Sequence, residues 1–181
     1  MSSVDRYPRA EEARVLVAHA PERIRVLTIF LFCTGCRLGE ALRLDWNEVD
    51  LNRRHCAFLN TKNGGHRGAI LAEWLFVELA NVPGEHKGLV FPIPRSSVYY
   101  PWAKMCRAAG VTDFTPHDCR HSWATWMRME GKVDLQALMN FGGWDDPKSV
   151  IRYNHVHSDE MKPAIDAITF GKAPSKDRNS A

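Results

Sequence analysis

The segment His117-Asp-Cys-Arg120-His121 sets a histidine and an arginine three apart. On a helix that spacing puts both on one face. A cation beside a proton carrier near a helix N-terminus suits a phosphate group. His117 and His121 are also four apart, the spacing of two metal ligands on a helix, but the glutamate of a His-Glu-x-x-His protease site is absent. A second candidate is Arg37, which follows the Thr34-Gly35 break, with Glu40 three residues on to orient it. A surface ion pair is the plainer reading of those two residues. Between Arg53 and Arg67, fifteen residues hold Arg53, Arg54, Lys62 and Arg67, with His55 and His66, and no carboxylate. That run is either a solvated basic face or a set of phosphate contacts, with Lys62 near a hairpin tip as a mobile proton donor. Tyr153, in Ile151-Arg-Tyr-Asn-His155, and Trp144, just past Gly142-Gly143, read on their own as packing. Cys33-Thr-Gly-Cys36 is a lone pair with no second Cys-x-x-Cys to complete a zinc site, so both read as core or near-core thiols.

These residues need elements to position them. Helical spacing runs from Pro8 through Ala13, Leu16 and Val17, and again from Pro21 through Ile24, Leu27, Thr28 and Leu31 up to Gly35. A third helix carries Leu38, Ala41 and Leu42, with Trp46 turned inward. Residues 56–60 and 68–72 read as strands flanking Asn63-Gly64, a hairpin signal. Leu89-Val-Phe91 reads as a third strand, stopped by Pro92 and Pro94, and residues 74–79 as a helix. From Ser96 the chain is helical again. Thr115-Pro116 opens a helix over about 117–130. Residues 135–140 form a short helix, and Asp146-Pro147 opens another that carries Val150, Ile151 and Tyr153. Residues 158–169 have helical spacing at Met161, Ala164, Ile165 and Ile168. The fold class expected is mainly α with a small antiparallel β-sheet (α+β). The expected organisation is a disordered segment 1–7, one domain over 8–169 and a flexible tail over 170–181.

Composition narrows the field. At 181 residues the chain fits one domain. Lys+Arg 24 against Asp+Glu 21 gives a formal charge of +3, which allows a nucleic-acid partner without demanding one. Five cysteines, an odd and sparse set, point to a reducing cytoplasm and away from a disulfide scaffold. The polar N-terminus lacks the apolar core of a signal peptide. The longest apolar run, residues 26–33, is too short to span a bilayer and is interrupted by Thr28.

Taken together, the segments resemble the catalytic domain of the tyrosine recombinase (phage integrase) family, in its prophage-type form, from about Pro8 to Ile168. Thr34-Gly-Cys-Arg-Leu-Gly-Glu40-Ala-Leu followed by Trp46-x-x-Val-Asp-Leu51 is similar to the family's first arginine motif. Thr61-Lys62-Asn-Gly is similar to its hairpin lysine, and Thr115-Pro-His117-Asp-x-Arg120-His-Ser-x-Ala-Thr125 to its H-x-x-R box. Gly142-Gly-Trp144 and Arg152-Tyr153-x-His155 are similar to its final box, with the tyrosine nine residues after the aromatic. Many members have histidine where Trp144 stands, and leucine is usual where Cys119 stands. Tryptophan can donate an N–H to a phosphate oxygen but cannot shuttle a proton.

The resemblance implies a metal-independent site-specific DNA recombinase, or integrase. Arg37 and Arg120 would clamp the non-bridging oxygens of the scissile phosphate, with His117 and Trp144 donating further hydrogen bonds. Tyr153 would attack to give a 3′-phosphotyrosine, with His117 as the base and Lys62 as the acid for the leaving 5′-oxygen. Glu40 would position Arg37, and His121 and His155 would support the site. Arg53, Arg54 and Arg67 would contact DNA. No metal or nucleotide cofactor is implied. The implied partner is double-stranded DNA, bound by four protomers on paired sites, with a mostly monomeric protein when DNA is absent and no membrane association. Residues 158–169 would dock on a neighbour or fold back on their own domain. Family members carry an upstream core-binding domain, which is expected to be missing from this chain. The alternatives are a type IB topoisomerase-like strand relaxer, a catalytically silent DNA-binding regulatory module of the same fold, and a zinc protein built on Cys33, Cys36, His117 and His121.

Overall fold

The computed structural model describes residues 10–59, 67–129, 131–151 and 153. Helices α1 (Ala10–Ala18) and α2 (Glu22–Thr34) are followed by the single turn α3 (Leu38–Ala41) and a 3-10 turn (Trp46–Glu48). Strands β1 (Val49–Asp50), β2 (His55–Phe58) and β3 (Arg67–Ile70) come next, then α4 (Glu73–Ala80), α5 (Ser96–Ala108), α6 (Pro116–Met129), α7 (Leu135–Gly142) and α8 (Lys148–Ile151). The mainly helical fold with a small antiparallel sheet is the class expected from the sequence.

Helix α2 is the axis of the molecule. Ile24, Leu27, Thr28, Ile29, Phe30, Leu31, Phe32 and Thr34 are all buried, so the helix is apolar on nearly every side, the pattern of a helix enclosed by others. Each fully buried large side chain there contributes about 1.5–3 kcal/mol. Phe30 meets Phe58 of β2 and Phe91 edge-on, at 6.2 and 5.1 Å between centroids, which seats the sheet on α2. Phe32 stacks on Phe114 and Trp126, which seats the start of α6. A second, smaller cluster gathers Trp123, Ala124, Leu138, Val150 and Tyr153. It joins α6, α7 and α8, and the candidate nucleophile belongs to it.

The sheet runs β1-β2-β3, antiparallel throughout, with Val49 opposite Cys56 and Cys56 opposite Ala69. The two strands expected at 56–60 and 68–72 therefore pair antiparallel, each one residue shorter and starting one residue earlier. The third strand is not where the sequence put it. Leu89-Val-Phe91 makes only a single bridge, Leu89 to Asp45, and the two-residue β1 takes the sheet's third position. Pro92 and Pro94 stop the chain after Phe91 from pairing further, while Val90 and Phe91 are still buried. Their apolar character reflects core burial and not a ladder. Residues 1–7, Lys62, His155, the 158–169 segment and the 170–181 tail lie outside the described residues. Among the described residues no helix is long and apolar enough to cross a membrane.

Candidate active site

Box by box, local sequence explains the positions. Helix α2 ends at Gly35, whose φ of +60° is the left-handed conformation glycine tolerates best. A Cβ there would lie 2.4 Å from the Trp123 ring, so the site also needs the absence of a side chain. The chain then turns, and Arg37 leads into α3. Glu40 closes that turn. Its Oε2 accepts from the Arg37 backbone N–H at 2.7 Å, and its Oε1 from Arg37 Nη1 at 2.9 Å. The expected Arg37–Glu40 pair is formed, and Glu40 is buried.

Helix α6 starts as the Thr115-Pro116 signal predicts. Asp118 Oδ2 accepts from both the N–H and the hydroxyl of Thr115, at 2.7 and 2.6 Å. One turn on, Arg120 points inward and is 2 % exposed. Its Nη1 donates to the Gly35 carbonyl at 2.8 Å, which joins the second arginine box to the first. The Trp144 ring covers the guanidinium, with Cζ 3.8 Å from the ring centroid. Arg120 Nη2 is buried and finds no acceptor among the described residues. Trp144 reaches this position because the chain before it is bare. A Cβ on Gly142 would lie 1.9 Å from the indole, and Gly143, at φ +67°, ends α7 in the left-handed conformation.

Tyr153 sits in the turn after α8, two residues beyond its last residue Ile151, and is buried. Its hydroxyl and His121 Nδ1 share a hydrogen bond. His121 in turn meets His117 edge-on, 4.7 Å between ring centroids. His121 thus touches the candidate nucleophile directly. His117 is exposed and lines a groove of about 550 Å³ together with Arg37, Glu40, Arg43, Arg95 and Tyr99.

Three guanidinium groups, those of Arg37, Arg67 and Arg120, share one carboxylate, Glu40, which leaves an excess of two positive charges. Burial first, then the charges of Arg37 and Arg67, pull Arg120 down to about 9. Burial pushes Glu40 up, but the Arg67 charge and the hydrogen bonds from Arg37 and Arg67 outweigh it, so its carboxyl lies below the ordinary value. The cluster is short of negative charge, which is the electrostatic condition for binding an anion.

The structure corrects one assignment and adds two residues. Arg67 is not a surface DNA contact. It is 8 % exposed, with Nη2 on Glu40 Oε2 at 2.6 Å and Nη1 on the Phe141 carbonyl at 2.7 Å. As the first residue of β3 its side chain takes the inward face of the pleat. Arg53 and Arg54 are exposed as expected, and Arg53 faces Asp50 at 3.7 Å. Arg43 and Arg95 were not anticipated. A Cβ on Gly39 would lie 3.5 Å from Arg43 Nη1 and 3.8 Å from Arg95 Nη1, so two cations converge over bare backbone beside Arg37. Arg43 falls four residues after Gly39, a helical signal that was available; nothing in the sequence ties Arg95 to the same place. Cys36 is buried and Cys33 partly so, both as free thiols. Among the described residues no group of three His, Cys, Asp or Glu side chains is arranged to hold a metal ion.

Helices packed around a small antiparallel sheet are the fold this chain shares with solved recombinase and integrase structures. The catalytic domain of bacteriophage HP1 integrase superposes with a TM-score of 0.72 at 20 % identity, over 88 % of this chain and 93 % of that one. The XerA recombinase gives 0.74 at 22 % identity, over 92 % and 65 %. The Tn1549 transposon integrase in complex with transposon right end DNA gives 0.75 at 13 % identity, over 92 % and 66 %. In sequence, the integrase of Salmonella phage P22 is 27 % identical over 94 % of this chain and 49 % of its own length. The tyrosine recombinase XerC of Staphylococcus carnosus is 30 % identical over 80 % and 53 %. The model of the phage integrase family matches residues 7–160, and the chain belongs to that family. It spans about half the length of the curated relatives it matches.

Proposed function

We propose that this chain is the strand-exchange domain of a site-specific DNA recombinase, which cuts and rejoins DNA through a 3′-phosphotyrosine on Tyr153. The observation that carries the reading is the joined cluster itself: Arg120 bonded to Gly35 beside Arg37, with Trp144 over Arg120 and the Tyr153 hydroxyl on His121. A phosphodiester carries one negative charge, and attack builds a second on its non-bridging oxygens. An excess of two positive charges, preorganised by these bonds, matches that state better than the ground state. Arg37 and Arg120 are the clamp, with Arg120 Nη2 the donor held for an oxygen. The phenol ionises near 10 in water and must lose its proton to attack. His121 on the hydroxyl, with His117 edge-on against it, forms the route for that proton. Lys62 then protonates the leaving 5′-oxygen. The phosphotyrosine conserves the bond energy for rejoining, so no cofactor takes part in the chemistry.

The groove of Arg37, Arg43, Arg95 and His117 supports a DNA backbone running past the clamp, with Arg53 and Arg54 contributing further contacts. The DNA-bound Tn1549 integrase is similar in fold and supports the same partner. Assembly as a tetramer on paired sites in the cytoplasm, with a core-binding domain on the far side of the duplex, belongs to the same reading. The test is relaxation of supercoiled plasmid in EDTA at low salt, where phosphate contacts are strongest. Wild type is compared with Tyr153→Phe, and an SDS gel resolves protein–DNA adducts. Metal-independent relaxation and a covalent adduct, both lost in Tyr153→Phe, are expected. Sequencing the adduct junction then gives the cleavage site. Relaxation without exchange between two such sites would favour a topoisomerase-like enzyme, and no adduct at all would favour a silent binding module.

A further inference from the structure

We propose that Arg67 is a positioning residue of the phosphate clamp, which holds Arg37 through Glu40 and Trp144 through the Phe141 carbonyl; the inference rests on the reading that Arg37 clamps the scissile phosphate. Its guanidinium reaches two different elements at once, Glu40 on α3 at 2.6 Å and the last turn of α7 at 2.7 Å. That turn has carbonyls without helical partners, and Arg67 supplies a donor to one of them. Arg37 grips the same place from the groove side, with Nη2 3.3 Å from the Gly143 carbonyl. The stem of Arg67 runs directly under Gly143, where a Cβ would lie 2.7 Å from its Cδ. The next residue is Trp144, which covers Arg120. One buried side chain thus braces both halves of the clamp. It also opens β3, five residues along the chain from Lys62.

Stability alone does not call for a charge here. The Arg67 guanidinium packs over the Phe58 ring at 4.5 Å, and its Nε is buried without a partner. A methionine of similar shape would fill that space without the desolvation of a cation, and Glu40 would keep Arg37 as its counter-charge. What methionine would not do is fix the Glu40 carboxylate, both of whose oxygens are engaged in setting the Arg37 backbone and side chain. Losing a direct phosphate donor typically slows a reaction about a hundred- to thousandfold; misplacing one through its support costs less.

The experiment uses a duplex carrying the junction sequence recovered from the adduct, made in two forms. One has an ordinary scissile phosphate and the other a methylphosphonate, in which one charged non-bridging oxygen is replaced by a neutral methyl. Single-turnover cleavage is measured for wild type, Arg67→Met, Arg67→Lys and Arg37→Ala, together with DNA affinity. The rate ratio between the two duplexes, taken within one preparation, does not depend on how much of that preparation is folded. Arg67→Met is expected to cleave the phosphate duplex about tenfold or more slower and the methylphosphonate duplex with at least about threefold less loss, shifting the ratio in the same direction as Arg37→Ala. Arg67→Lys, which keeps the charge, should lie between, and should carry the comparison if the Met variant does not fold. DNA affinity should stay within about twofold, because Arg67 does not face the groove. Equal losses on both duplexes would overturn the proposal, as would unchanged phosphate cleavage. A weakened affinity with a shallower salt dependence would make Arg67 a direct DNA contact instead. If wild type cleaves neither duplex, the recombinase reading itself fails.

Discussion

Arg120 lies against the face of Trp144, 3.8 Å from Cζ to the ring centroid, and keeps its buried Nη2 without an acceptor among the described residues. The indole therefore meets the cation through its π face. A desolvated contact of this kind contributes about 2 kcal/mol, and it also excludes water from the guanidinium. Trp144→Phe retains a face and loses the indole N–H; Trp144→Ala loses both. We expect Phe to stay within about tenfold of wild-type cleavage and Ala to fall by about a hundredfold. The assay is single-turnover adduct formation. An equal, large loss in both variants would instead make the N–H the working group.

Gly35 joins the two arginine boxes, since its carbonyl accepts from Arg120 and its φ is +60°. Gly35→Ala adds a methyl 2.4 Å from the Trp123 ring and a left-handed non-glycine residue. Strain of that backbone kind costs about 1–3 kcal/mol and overpacking a similar amount. Urea denaturation should therefore show a loss of about 3 kcal/mol or more. A loss under 1 kcal/mol would mean that Trp123 yields freely.

Glu40 gives the fold an acid-sensitive joint. Its carboxyl lies below the ordinary value of 4.5, so on acidification the unfolded chain takes up a proton there before the folded one does. The stability this supplies is fully present above about pH 4.5 and is lost as pH falls through the folded value. Glu40→Gln leaves Arg67 buried without a counter-charge, at a cost of about 3 kcal/mol at neutral pH. It should also flatten stability between about pH 5 and 3. Parallel pH-stability curves for wild type and variant would remove Glu40 from this role.

The sequence was most legible where one residue type has a local reason to stand where it does. The Thr34-Gly35 break, the Thr115-Pro116 cap and the Gly142-Gly143 turn each dictate backbone geometry within a few residues, and those elements formed where expected. What needed the third dimension was the partner across the fold. Arg67 and Arg53 look alike in a basic run; only the pleat of β3 sends one inward to Glu40 and leaves the other in solvent. His117 and His121 share a helix, and only the position of Tyr153 distinguishes them. Leu89-Val-Phe91 has the composition of a strand, yet its one bridge is to a loop residue, Asp45, held by hydrogen bonds from Val90 to Leu44 and from Trp46 to Gly88. Periodicity reports burial in that segment but not pairing.

Arg43 and Arg95 converge beside Gly39 in the groove that holds Arg37 and His117. If each neutralises one backbone phosphate, Arg43→Ala and Arg95→Ala should each reduce the slope of log affinity against log salt by about 0.9. The change should be similar for any duplex sequence, since phosphate contacts carry no base information. Arg53→Ala should change the slope less, because Asp50 already faces that guanidinium. Fluorescence anisotropy over a salt series measures all three, and an unchanged slope for Arg43 and Arg95 would take the DNA path away from this groove.

The cysteines give a test of burial that also bears on a zinc site. Burial pushes Cys33 up to about 11 and Cys36 and Cys56 up to about 12, and Cys106 and Cys119 are raised by the same cause. At pH 8 a thiol of pKa 12 is ionised in about one molecule in ten thousand, and only the thiolate alkylates or binds metal readily. Iodoacetamide at pH 8 should therefore leave Cys36, Cys56 and Cys119 of the native protein unmodified over an hour, while all five cysteines react in guanidinium. EDTA should leave the thermal midpoint within about 1 °C, because Cys36 is enclosed beside the Arg67 and Arg120 charges, which repel a cation. Rapid labelling of Cys33 and Cys36 together, or one equivalent of zinc in the purified protein, would contradict this burial and return the Cys33–Cys36 pair to the metal reading.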